Sequence, residues 1–237
     1  MDIYIFEGHI MFMVDNAAAQ FTQYVSARKS DIAPYTDMKW PRFFPFMKLH
    51  AEQYTADGFG TLMTLSTRAA GNFLTVETAV FTPGAGINMP LLLVDASVTK
   101  QKCIVFAEFY DCTTGRLPQP ELEKNAEQFS GLHDYEEKPA WYIRERAPYS
   151  LIKSVSPSEA EDLRRMARCT IQTYLETVRN VSDKRVTDDE RSENIRNLHM
   201  FQNRMVAEGN PSSSVLRSVL GKTEAEKFFR TVVMPVG

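Results

Sequence analysis

Residues 89–111, MPLLLVDASVTKQKCIVFAEFYD, decide the fold. Two apolar runs flank the polar tetrapeptide TKQK, which is the pattern of a β-hairpin. Just upstream, FGTLMTLST (59–67) and FLTVETAVF (73–81) stand on either side of the Gly-containing turn AAGN and read as a second hairpin. The β pattern extends from Met47 to about Cys112. Its runs are apolar on both parities. Around Glu77, one face carries Phe73, Thr75, Ala79 and Phe81, and the other carries Leu74, Val76 and Val80. A sheet covered on both sides produces that pattern; a sheet with one wet face alternates.

The flanks of this sheet read as helical. Residues 1–30 form a helical lead-in, with AAAQFTQYV as its best helical stretch, and the Pro- and aromatic-rich residues 31–46 read as irregular. Downstream, Ser156-Pro157-Ser158-Glu159 is a capping box with Pro at the first helical position. Behind it, Leu163, Met166, Ala167, Thr170, Ile171, Tyr174, Leu175 and Val178 make one apolar stripe. Thr187 with Glu190 caps a second helix bearing Ile195, Leu198, Phe201 and Met205. Asn210-Pro211 starts a third helix that ends near Gly221, and Thr223 with Glu226 caps a short fourth. The expected fold class is α/β: a three-layer α/β/α sandwich around a largely antiparallel sheet. With 237 residues and 43% hydrophobic content the chain fits one large domain or two small ones, and the expected sandwich takes residues 1–237 as one.

Three carboxylates interrupt the apolar runs: Glu77, Asp95 and Glu108. A single strand acid is most often solvated or paired. Three in consecutive strands point instead to a polar site built into the sheet. A desolvated carboxyl has a raised pKa, holds a proton near neutral pH and can act as a general acid.

Other chemistries find little support. His9, His50, His133 and His199 have no i, i+4 spacing and none is near a cysteine, so no metal site is expected. Gly84-Ala85-Gly86 lies between strands and opens no helix, so it reads as a turn and not a phosphate cradle. The net charge of −3 argues against a nucleic-acid partner. Arg164, Arg165 and Arg168 lie off the apolar stripe; a solvated helix face is favoured over a docking patch for an acidic partner. Cys103, Cys112 and Cys169 read as reduced thiols. Asp2 and Glu7 stand where a signal peptide is basic, and no run approaches a membrane span. The expectation is a cytoplasmic protein with no membrane partner.

NPSSSVLRSVLGKTEAEKFFRTVV (210–233) resembles the C-terminal signature of the ferredoxin-dependent bilin reductases. MPLLLVDASVTKQKCIVFAEF resembles that family's acid-bearing strand pair, with Asp95 on its first acid and Glu108 on its second. PYSLIKSVSPSEAEDL (148–163) resembles its strand into a long helix, and Trp141 follows Pro139 as a Trp follows Pro in relatives. The resemblance covers roughly residues 60–237. It implies a tetrapyrrole pocket between the sheet and the C-terminal helices, a bilin substrate such as biliverdin, no bound metal or flavin, and reduced ferredoxin as electron donor. It implies catalytic roles for Asp95, the central proton donor, and for Glu77, which falls, with a one-residue gap, where relatives carry His or Asn. Red chlorophyll catabolite reductases, which are related, have Glu near that place. The resemblance further implies substrate binding by Lys153 to a propionate, and by Asn210, Phe201 and Ser66. Asn210 falls where many bilin reductases have a catalytic Asp; as Asn before Pro it is also a good helix N-cap. Ser66 replaces an acid in the preferred upstream register; in the other, FMKLHAEQ brings His50 and Glu52 to the site. The alternatives are a tetrapyrrole-binding protein of this fold without reductase activity, a chlorophyll-catabolite-type reductase, or a domain of the same fold for an unrelated small molecule.

Overall fold

The computed structural model describes residues 12–39, 48–68, 74–113, 118–181, 186–210 and 213–236. It begins with helix α1 (Phe12–Tyr24) and continues through strands β1 (Arg28–Lys29), β2 (Asp37–Lys39), β3 (Lys48–Ala56), β4 (Gly60–Arg68), β5 (Thr75–Pro83), β6 (Leu91–Val98) and β7 (Cys103–Tyr110). Helix α2 (Pro120–Gln128), a 3-10 turn (Trp141–Glu145) and strand β8 (Leu151–Val155) follow. The chain closes with helices α3 (Ala160–Val181), α4 (Asp188–Glu208), α5 (Ser213–Leu220) and α6 (Lys222–Phe228), which runs into a π turn (Phe229–Val233).

The strands form one sheet in the order β1-β3-β4-β5-β6-β7-β8, with β2 also paired to β3. Every pairing is antiparallel. Both hairpins expected from the sequence are present, and each face of the sheet is covered. On one face Ala79, Phe81, Leu92, Val94, Val105 and Phe109 pack against α1, α2 and α3. On the other, Leu49, Met63, Leu65, Val80 and Leu91 pack against α4, α5, α6 and the C-terminal turn. The molecule is the α/β/α sandwich that the double-parity apolar strands imply.

Local chemistry explains most element ends. The capping box at Ser156 and Glu159 leads into α3, and the eight stripe residues named above are all buried there. The Thr187–Glu190 box closes the start of α4, with Thr187 Oγ1 accepting from Glu190 N at 3.2 Å. Gly60, at φ +116°, lets β4 start hard against β5; a Cβ there would lie 2.1 Å from the Thr82 carbonyl oxygen.

Four local expectations change. Residues 31–46 are not wholly irregular, because Asp37–Lys39 forms an edge strand on β3; residues 40–47 fall outside the described residues. The helical lead-in ends earlier than expected, since Arg28–Lys29 is a strand. The final helix starts at Lys222 behind Gly221, at φ +80°, so Thr223 is not its N-cap. The buried side of α4 is partly polar: Asn194 and Gln202 are buried with Leu198, Met205 and Val206.

Candidate functional site

Register decides which of the sequence's acids can share a site, because successive side chains leave a strand on opposite faces. One row across the sheet runs His50, Ser66, Glu77, Ala96, Val105 and Lys153. The adjacent row runs Ala51, Leu65, Thr78, Asp95, Phe106 and Ile152. The first row faces α1 and α3; the second faces the C-terminal helices. Asp95 and Glu77 are therefore on opposite sides of the sheet and cannot serve one cleft together.

The same parity removes several other expected site residues from Asp95's surroundings. Ser66, His50 and Glu52 lie on the Glu77 face, so both upstream registers considered from the sequence lead to the wrong side. Lys153 is buried on that face, and its Nζ donates to the Asp134 carboxylate at 2.6 Å and to the Leu132 carbonyl at 2.9 Å. That ammonium holds a loop to the sheet edge and is committed there. Asp95's cross-strand neighbour is Thr78, and beyond Thr78 stands Leu65.

On the C-terminal side a narrow cleft of about 30 Å³ lies between the sheet and the helical layer. Thr78, Leu93 and Asp95 form part of its floor, and Met205, Asn210, Leu216 and Phe229 part of its roof. Thr78 Oγ1 donates a hydrogen bond to Asp95 Oδ1. Apolar neighbours strip water from this carboxyl, and burial pushes its pKa up to about 6 although the Thr78 bond opposes the rise. Asp95 is thus a carboxylic acid able to carry a proton close to neutrality, aimed into a cleft. Asn210 sits at the opposite wall, its Nδ2 donating to the Met205 carbonyl at 3.4 Å. Its expected N-cap role involves Pro211, which lies outside the described residues. Phe201 does not line the cleft; one turn before Met205 on α4, its ring lies 4.7 Å from that of Tyr110 and 6.0 Å from that of Trp141.

Glu108 shares Asp95's face and is 1% exposed. Arg146 Nε donates to Glu108 Oε1 at 2.6 Å, and the Tyr110 hydroxyl donates to the same oxygen at 2.9 Å. Arg146 also grips Glu137, with an Nη2 to Oε1 distance of 2.8 Å. Burial drives the Glu108 carboxyl up to about 7; Arg146 and Tyr110 pull against that, and the nearby Asp95 charge adds to it. Arg146 was missed in the sequence. A bridge pairing with Tyr110 puts it beside the end of β7, and that pairing has no local sequence signal.

A larger cavity of about 340 Å³ lies on the other face, between α1, β6–β7 and α3. Its walls are mainly apolar, and none of the three strand acids lines it. Of the basic cluster, Arg164 and Arg168 border this cavity, Arg165 and Arg168 are exposed, and Arg164 and Arg165 pair with Glu161 and Asp162 one helical turn earlier. That is a solvated helix face. Among the described residues no three His, Cys, Asp or Glu side chains cluster so as to hold a metal ion, and no helix is long and apolar enough to cross a membrane.

No family model matches this chain, and no curated protein does. Among solved structures the fold is similar to that of phytochromobilin synthase from tomato, crystallised in complex with biliverdin. The TM-score is 0.79 at 13% sequence identity, covering 94% of this chain and 81% of the other. At that identity the likeness is one of fold.

Proposed function

We propose that this chain is a ferredoxin-dependent reductase of an open-chain tetrapyrrole, a bilin such as biliverdin, working in the cytoplasm as one domain. Asp95 supports this reading most: a neutral-leaning acid in the cleft between sheet and C-terminal helices, in a fold similar to that of a bilin-bound enzyme. In the proposed reaction reduced ferredoxin supplies single electrons, and the protein supplies the matching protons. Asp95 is the proton donor that faces the bilin, and Asn210 and Phe201 contact the bilin from the helical side. Glu77, Ser66 and Lys153 face the other way and take no part in this cleft.

Asn210 favours a second reading, a tetrapyrrole-binding protein without turnover, because an amide cannot deliver an acidic proton. One experiment separates the two. Biliverdin titrated into the protein should change its absorption spectrum at one equivalent. Reduced ferredoxin should then bleach and shift that spectrum as the bilin is reduced. Binding without spectral change under electron supply would leave only the binding reading; no binding would remove both. Asp95→Asn is expected to keep bilin binding and to lower turnover by at least about 100-fold, within the range for loss of a general acid.

A further inference from the structure

Asp95 alone supplies one proton, and a two-electron reduction of a double bond consumes two. The structure holds a second acid on the same sheet face. Leu93 pairs with Glu108 and Asp95 pairs with Phe106, so Asp95 and Glu108 are diagonal neighbours across β6–β7. Such neighbours lie about 7–8 Å apart. Glu108 does not line the cleft, so it can act only through Asp95.

We propose that Glu108 is the proton reserve for Asp95, returning a proton to it after Asp95 has given its own to the cleft, with Arg146 taking up the charge left on Glu108. The O–H bond of Glu108 breaks, one forms on the Asp95 carboxylate, and no electrons move. Three features of the cluster suit it. When Asp95 has lost its proton its charge opposes a second charge on Glu108, so Glu108 is still protonated at the moment Asp95 must be refilled. Arg146 and the Tyr110 hydroxyl already point at Glu108 Oε1, so its ionised form is met by donors without rearrangement. Glu137 sits behind Arg146 and fixes the guanidinium in place. Among the described residues a further titratable group facing the cluster is Tyr142, whose ring lies 5.9 Å from the Arg146 guanidinium carbon. From α4 the contact is Phe201 on Tyr110, which carries no charge.

Glu108 is on this account a positioning residue. The test follows the side-chain carboxyl carbons of Asp95 and Glu108, assigned through bonds, by ¹³C NMR as pH is varied. In Asp95→Asn the Glu108 midpoint should move down by about one pH unit, the size expected for loss of a neighbouring charge at this separation. An unmoved midpoint overturns the proposal. If that variant does not fold, the unaltered protein decides: the Glu108 signal should show a second small inflection at the Asp95 midpoint, and two single-step curves overturn the proposal. Neither readout involves a bilin, so failure of the reductase reading would be seen separately. Under turnover, which rests on that reading, Glu108→Gln should keep bilin binding and slow the second protonation at least tenfold. Glu108→Asp should restore it in part, whereas equal rates in Glu108→Gln and the unaltered protein overturn the relay.

Discussion

Ionising Asp95 works against folding. In the unfolded chain its carboxyl titrates at the ordinary value of 3.8, and in the folded protein at about 6. Between those values the folded state binds more protons than the unfolded one, so stability falls as pH rises through the window. Below it there is no penalty; above it the whole penalty is present, about 3 kcal/mol at 1.36 kcal/mol per pH unit. Asp95→Asn should therefore raise the urea midpoint at pH 7.5 and have no effect near pH 3.5. A variant less stable than the unaltered protein at pH 7.5 would show that the carboxylate is stabilised by something other than Thr78. Such a cost is tolerated where a group is needed for chemistry. Asp95 was legible in the sequence because acids recur inside consecutive apolar runs, although any one of them alone is most often solvated or paired. Its partners were not: Thr78 looks like any strand threonine, and Arg146 reaches the cluster from 38 residues beyond Glu108. Lys153 misled for the opposite reason. The family resemblance gave it a propionate to bind, but only the structure reveals the Asp134 carboxylate that already holds it.

Strands carry one piece of information that single residues do not, which is parity. The hairpins around Gly71 and Lys100 were readable from turn residues and apolar runs, and so was the coverage of both sheet faces. A one-residue gap in an alignment, however, moves a side chain to the opposite face. Glu77 was brought to the site with such a gap, and the pairing puts Thr78, not Glu77, opposite Asp95. Helix α4 hides its role differently. An apolar stripe predicts its packing only in part, because Asn194 and Gln202 are buried on it. Asn194 Nδ2 donates to the Ala85 carbonyl at 3.2 Å and to Asn88 Oδ1 at 2.9 Å. Gln202 Nε2 donates to the carbonyls of Arg230 and Met234 at 3.2 and 2.6 Å. The Gln202 bonds tie the C-terminal turn, one wall of the cleft, to α4. Gln202→Leu keeps the volume and leaves both carbonyls unsatisfied, so it should cost about 2 kcal/mol. Amide exchange should speed up in residues 229–234 more than in the sheet. Uniform exchange across the molecule would mean that Gln202 does not hold this wall.

Taken whole, the sandwich is closed more tightly on its Asp95 side than a bilin requires. Pockets for ligands of that size class run to about 300–1,000 Å³, and the cleft measures about 30 Å³. The helical layer is fastened to its surroundings by Gln53 Nε2 donating to the Thr231 and Val232 carbonyls at 3.0 Å, by the Tyr35 hydroxyl on Glu224 at 2.6 Å, and by Trp141 Nε1 on the Gly209 carbonyl at 2.9 Å. A bilin bound beside Asp95 must therefore be preceded or accompanied by separation of this layer from the sheet, and the rate of that separation limits association at high ligand. In stopped-flow mixing, the observed rate of biliverdin binding should level off as ligand concentration increases. Gln202→Leu should raise the plateau by loosening the wall. Asp95→Asn should leave it unchanged, since the carboxyl lies on the floor and fastens no helix. A rate that climbs linearly to the highest soluble bilin concentration would place the binding surface outside this cleft. That result would also detach Asp95 from the chemistry while leaving its effect on stability, and its coupling to Glu108, intact.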